Sequence, residues 1–70
     1  MFDYSKLRGR TRELGHSQEE VAKAAKMSPA TYSLKLTGKS EFKQCEINDI
    51  CGFLRIPAVY IGEYFFTEAV

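Results

Sequence analysis

Residues 17–38, SQEEVAKAAKMSPATYSLKLTG, leave the backbone few choices. Ser17 stands where a helix N-cap belongs, and Glu20 follows three residues later. At that spacing the serine oxygen accepts from the third helical amide while the glutamate reaches back to the cap amide. Val21, Ala22 and Ala25 then fall on one helical face. Lys26-Met27 reads as a turn. Ser28 is a second N-cap, and Pro29 takes the first helical position, where a missing amide costs nothing. Tyr32 and Leu36, four apart, give the second helix an inward stripe, and Gly38 after Thr37 is a stop. The pattern predicts two short helices, over residues 18–26 and 29–37, joined by a tight turn. The small side chains Ala22, Ala24 and Ala25 let the two approach closely.

The flanks read as further short helices. A first helix is expected over about residues 3–14, with Asp3 as its cap and Leu7, Thr11 and Leu14 as its buried stripe. Gly9 interrupts it at roughly 1 kcal/mol relative to Ala, and close packing is the expected reason. Phe2 and Tyr4 are expected to cover one end of the core. Gly15 ends the helix and His16 lies in the turn. Residues 39–42 read as a linker. A fourth helix runs from 43 or 44 to 54, with Ile47, Ile50, Cys51 and Leu54 on one face and Gly52 off it. Pro57 pushes Ile56 out of the helical region and opens a fifth helix over about residues 58–62, with Val59, Tyr60 and Ile61 as its apolar content. The end, Tyr64-Phe65-Phe66-Thr67, is aromatic and β-prone. Its rings either fold back onto helix 1 to complete the core or, as Tyr64, Phe65 and Phe66, form a subunit contact. The fold class expected is all-α: one domain over residues 1–70, a compact bundle of about five short helices with an aromatic tail at 63–70.

Composition narrows the functions. Seventy residues make one small domain with a limited core. No apolar run approaches the ~20 residues that span a bilayer, and the N-terminus lacks an apolar signal region, so the expectation is a cytoplasmic protein away from membranes. Cys45 and Cys51 are six apart, which turns a helix by roughly 600° and separates the side chains. Two cysteines and the distant His16 do not make a metal site, and no cofactor is expected. Cys51 reads as core and Cys45 as surface. No nucleophile–base pair or phosphate-binding glycine loop appears, so an enzyme is not expected. Net charge is only +1, but it is polarised: residues 1–40 sum to +4 and residues 41–70 to −3. A basic front half is the electrostatic footprint of a nucleic-acid reader.

Ser17-Gln18-Glu19-Glu20-Val21-Ala22, Met27-Ser28, Thr31, Ser33 and Gly38-Lys39 resemble the helix-turn-helix of the phage repressor/Cro (XRE-type) family. The resemblance extends, more weakly, to about Ile61. It implies a lambda-repressor-like DNA-binding domain with the helix-turn-helix at helices 2 and 3, and a recognition helix over about residues 29–37 in the major groove. With Tyr32 inward, successive 100° steps turn Ala30, Ser33, Leu34 and Thr37 outward. The implied base-contact candidates are Pro29, Ala30, Thr31, Ser33 and Leu34. Gln18 matches the family's phosphate-touching glutamine and Lys39 a backbone-contacting position; Lys26, Lys35 and Lys43 are further phosphate candidates. Two departures stand out. Residues 28–37 contain no Arg, Asn or Gln, so readout leans on apolar contact with thymine methyls and on DNA shape. The buried arginine–glutamate pair of many family members corresponds to Thr11 and Leu36 here.

The function expected from this resemblance is sequence-specific regulation of transcription on double-stranded operator DNA, as a weak homodimer. Leu34 keeps a second reading open. It lies about 200° from Tyr32, opposite the core, and with Pro29 and Ala30 it makes a small apolar patch. Small phage antirepressors present a similar body to a repressor protein rather than to DNA, and such a patch suits a protein groove too.

Overall fold

The computed structural model of the chain describes residues 2–68. Residues 1, 69 and 70 of the expected domain and tail lie outside the described residues. The described chain is all-α: α1 (Ser5–Glu13), α2 (Gln18–Ala24), α3 (Pro29–Leu36), α4 (Gln44–Phe53), a 3₁₀ turn (Ala58–Tyr60) and α5 (Ile61–Phe65). α2 packs against α1, α3 and α4, and α5 closes the bundle against α1 and α4.

The starts follow local chemistry. Ser17 Oγ accepts from the Glu20 amide at 3.2 Å and Glu20 returns to the Ser17 amide at 2.8 Å, so the capping box of α2 is complete. Ser28 Oγ accepts from the Thr31 amide at 3.2 Å and Pro29 opens α3. Asp3 takes the Ser5 amide at 2.9 Å, but Tyr4 holds the N-cap place, so α1 begins two residues later than expected.

The ends share one device. After α1, α2, α3 and α4 the chain turns through a left-handed residue: Gly15, Lys26, Gly38 and Arg55, with φ of 75°, 60°, 85° and 56°. The next amide reaches back to a carbonyl five residues earlier: His16 to Thr11, Met27 to Ala22, Lys39 to Leu34 and Ile56 to Cys51. This is the Schellman ending, which satisfies carbonyls that the helix leaves open. Gly15 and Gly38 announce it in the sequence; Lys26 and Arg55 do not. α2 therefore stops at Ala24, not at residue 26.

Leu7, Val21, Ala22, Tyr32, Ile50, Leu54 and Phe65 are almost fully buried, and Tyr4, Ala25, Leu36, Ile47, Cys51 and Ile56 complete the core. Thr11 is also buried; its hydroxyl donates to the Leu7 carbonyl at 2.9 Å. Thr11 and Leu36 thus both lie inside, without charge.

Four expectations need correction. Gly9 is not required by close packing, because a Cβ there would meet nothing within 4 Å. Phe42 is no mere linker residue. Its ring makes edge contacts with Tyr4, Tyr32 and Phe65 at 5.3, 6.0 and 5.4 Å, joining the first turn, α3 and α5. The fifth helix spans Ile61–Phe65, since residues 58–60 wind as a 3₁₀ turn after Pro57. Of the apolar residues expected in it, Val59 and Tyr60 precede the helix and are exposed. Finally, Tyr64 and Phe65 are helical, and among the described residues β character is confined to a bridge between Phe2 and Glu68. The tail divides: Phe65 is 1% exposed and belongs to the core, so it is withdrawn as a subunit-contact residue, whereas Tyr64 is half-buried and Phe66 is exposed.

Candidate nucleic-acid interface

α3 is two-sided. Tyr32, Lys35 and Leu36 point inward, while Pro29, Ala30, Thr31, Ser33 and Leu34 are exposed. Leu34 is 48% exposed, which for a leucine in a packed bundle is a cost without a partner in the monomer. The Thr31 hydroxyl accepts from Ser28 Oγ at 2.9 Å, and Thr37 Oγ1 donates to the Leu34 carbonyl. Ser33 is the outward hydroxyl with no such engagement among the described residues.

The lysines do not behave alike. Lys26, Lys39 and Lys43 are exposed, as is Gln18. Lys35 is not a phosphate candidate in this fold. It is 5% exposed, and its Nζ donates to Glu46 Oε1 at 2.6 Å and to the Glu41 carbonyl at 3.2 Å. Glu46 also accepts from the Lys43 amide at 2.8 Å, so one carboxylate starts α4 and ties it to α3. Burial pushes the Glu46 carboxyl up. The Lys35 hydrogen bond, the Lys43 amide and the charges of both lysines outweigh burial and hold it below its ordinary 4.5.

The arginines of α1 also divide. Arg10 donates through Nε to the Leu54 carbonyl at 3.0 Å and through a second nitrogen to the Arg55 carbonyl at 3.2 Å, with Glu13 at 2.6 Å. It is a cationic cap on the carbonyl end of α4. Arg8 and Arg12 make no ion pair within 4.0 Å among the described residues. They line a cleft with Thr11, His16, Gln18 and Tyr32. In the sequence these two count only towards net charge; their i, i+4 spacing is the signal that they share a face with one another and not with Arg10. His16 lies in the turn as expected, but it is half-buried: its ring packs on Phe53 with centroids 4.5 Å apart, and its Nδ1 lies 3.4 Å from Glu20.

Cys45 is exposed and Cys51 buried, both as thiols, and burial pushes the Cys51 thiol up. Among the described residues no helix is long and apolar enough to cross a membrane. No curated protein matches the sequence. Residues 1–68 match the family described as protein of unknown function (DUF739), and the chain belongs to that family.

Proposed function

We propose that this chain is a sequence-specific DNA-binding transcriptional regulator of the phage Cro/repressor type, with α2 and α3 as its helix-turn-helix. The observation that carries the reading is the two-sidedness of α3: separately capped by Ser28, anchored by Tyr32 and Leu36, and presenting Pro29, Ala30, Thr31, Ser33 and Leu34 outward. α3 lies in the major groove, Ser33 and Thr31 meet base edges, and Ala30 and Leu34 pack against thymine methyls. Gln18, Lys26, Lys39 and Lys43 meet phosphates and fix register. Specificity is modest and leans on shape. The protein works in the cytoplasm, without catalysis or cofactor, and pairs weakly on two-fold operators through Tyr64 and Phe66.

The exposure of Leu34 beside Pro29 and Ala30 favours a second reading, an antirepressor that lays this face against a repressor protein. Binding to mixed-sequence duplex at low and moderate salt separates the two. A DNA reader binds with a steep salt slope, about 0.9 per phosphate neutralised. No affinity at ~50 mM salt rules out the first reading. A complex with a repressor encoded beside it, lost in Leu34→Glu, supports the second.

A further inference from the structure

We propose that the cleft between α1 and the start of α2 is a phosphate seat, in which Arg8 and Arg12 clamp one phosphate while Gln18 and the Tyr32 hydroxyl donate to its oxygens. That the phosphate belongs to a duplex backbone rests on the function proposed above; the seat itself does not. Four observations converge on it.

The first is the availability of charge. Arg10, between the two, is committed to Leu54, Arg55 and Glu13, whereas Arg8 and Arg12 have no ion-pair partner within 4.0 Å among the described residues, Arg8 acting only at longer range on Asp3. Guanidinium forks are the side chains best matched to phosphate oxygens. The second is Tyr32. It is 1% exposed and lines the cleft, and among the described residues nothing donates to or accepts from its hydroxyl. Among the described residues no buried side-chain oxygen lacks a partner, so this partnerless hydroxyl is the part of Tyr32 that reaches solvent in the cleft, and Arg8 is close enough to act on it electrically. The third is chemistry. Arg8, Arg12, Gln18 and Tyr32 present donors from three helices, and no carboxylate lines the cleft. The remaining walls are committed elsewhere, Thr11 to the Leu7 carbonyl and His16 to Phe53 and Glu20. The fourth is size. The cleft has a volume of about 130 Å³, several times the share of one water in the liquid, ~30 Å³. It has room for a tetrahedral oxyanion.

The seat extends the protein's grip beyond α3. A phosphate held there fixes α1 against the duplex backbone, so it raises affinity for every sequence equally and adds no specificity.

The test uses the full chain, ¹⁵N-labelled, and reads the arginine side-chain Nε–H resonances. Two probes are titrated separately: a mixed-sequence duplex of about 20 base pairs, and inorganic phosphate. With duplex, the Arg8 and Arg12 signals are expected to shift. In Arg8→Gln/Arg12→Gln, affinity at ~100 mM salt is expected to fall about tenfold for all sequences, and the salt slope to drop by about 1. Lys6→Gln, an exposed cation of the same helix outside the cleft, serves as control and keeps the wild-type slope to within half a contact. Tyr32→Phe, which keeps the ring in the core, weakens binding several-fold. A double variant that binds duplex with the wild-type slope overturns the seat and leaves the DNA reading standing. A wild-type chain that binds no duplex overturns the DNA reading instead. Inorganic phosphate then decides the seat alone: saturable shifts at Arg8 and Arg12, weakened in Tyr32→Phe, support it, and their absence overturns it.

Discussion

The Lys35 ammonium on α3 lies 2.6 Å from a carboxylate oxygen of Glu46 on α4, with 6% and 14% of the two side chains exposed. This pair reassigns a residue that charge alone would place on the surface. It also gives the bundle a buried ion pair at a different place from the one implied by the family resemblance, where Thr11 and Leu36 stand uncharged. Breaking a buried pair from one side leaves the other charge stranded, whereas replacing both ions by apolar groups is often neutral. Glu46→Gln is therefore expected to destabilise the fold by roughly 3 kcal/mol, a large fraction of the ~4–10 kcal/mol available to a domain this size. Lys35→Met costs less, because Glu46 keeps the Lys43 amide. Lys35→Met/Glu46→Gln, which leaves neither charge stranded, recovers part of the loss. Urea unfolding of the three variants checks the order, and additivity in the cycle would show that the pair is not coupled.

The same pair sets an acid limit. Glu46 in the folded chain ionises below its ordinary 4.5, so between the two values the unfolded chain binds more protons. Its contribution is fully present above pH 4.5 and is lost as pH falls through the depressed folded value. Asp3, held down by Ser5, and Glu20, held down by the Ser17 amide and His16, titrate in the same direction from exposed positions. The melting temperature is expected to be flat near neutrality and to fall below pH 4.5, more steeply in the native chain than in Glu46→Gln. Parallel acid limbs in the two proteins would assign the loss to other carboxylates.

Phe65 and Phe66 are neighbours with opposite duties. Phe65 fills the space under Phe42, and Phe66 is half-exposed against Phe2 at 5.5 Å. Phe65→Ala is expected to cost ~3–5 kcal/mol, which leaves little or no folded protein at 37 °C. Truncation after Glu63 does the same. Phe66→Ala costs under about 1 kcal/mol and, if the exposed ring is a subunit contact, shifts the monomer–dimer equilibrium towards monomer. Circular dichroism and sedimentation equilibrium read the two effects separately.

These contrasts mark where sequence reading succeeds. Ser17 with Glu20, Ser28 with Pro29, and Gly15 and Gly38 are local instructions, satisfied by atoms two to five residues away, and they place α2 and α3 almost to the residue. The outward face of α3 follows from the 100° step once Tyr32 is fixed as inward. What escapes is non-local. Arg10 finds carbonyls 44 and 45 residues on, and Phe42 gathers rings from three distant segments. Lys35 is inside because a carboxylate eleven residues on meets it there, against the ordinary preference of lysine for water. Lys26 and Arg55 end helices in a conformation that only glycine advertises.

Lys26 joins stability and binding in one side chain. Its φ of 60° places a β-carbon in the left-handed region, at a cost of about 1 kcal/mol that glycine escapes. Lys26→Gly is expected to raise stability by up to that amount, offset in part by the freedom glycine gains when unfolded. The same change removes an exposed cation beside the turn and, on the DNA reading, lowers the salt slope by up to about 0.9. Tighter folding with weaker, less salt-sensitive DNA binding is the outcome to look for. Unchanged DNA affinity would remove Lys26 from the phosphate contacts without touching the stability argument.

Leu34 separates the two proposed partners. It packs against nothing that needs it in the monomer, so Leu34→Ala and Leu34→Glu are each expected to change stability by no more than about 0.5 kcal/mol. On the DNA reading, Leu34→Glu brings a carboxylate towards the duplex, and affinity falls more than tenfold for every sequence. Leu34→Ala loses only a methyl contact and relaxes preference at one A·T position by roughly 1 kcal/mol. On the antirepressor reading the ranking compresses. Both substitutions remove the same apolar anchor from a protein groove, both weaken the complex strongly, and neither shows the salt dependence of phosphate release. Affinities of the two variants for duplex and for repressor, each measured at two salt concentrations, therefore identify the partner by the pattern of loss rather than by its size.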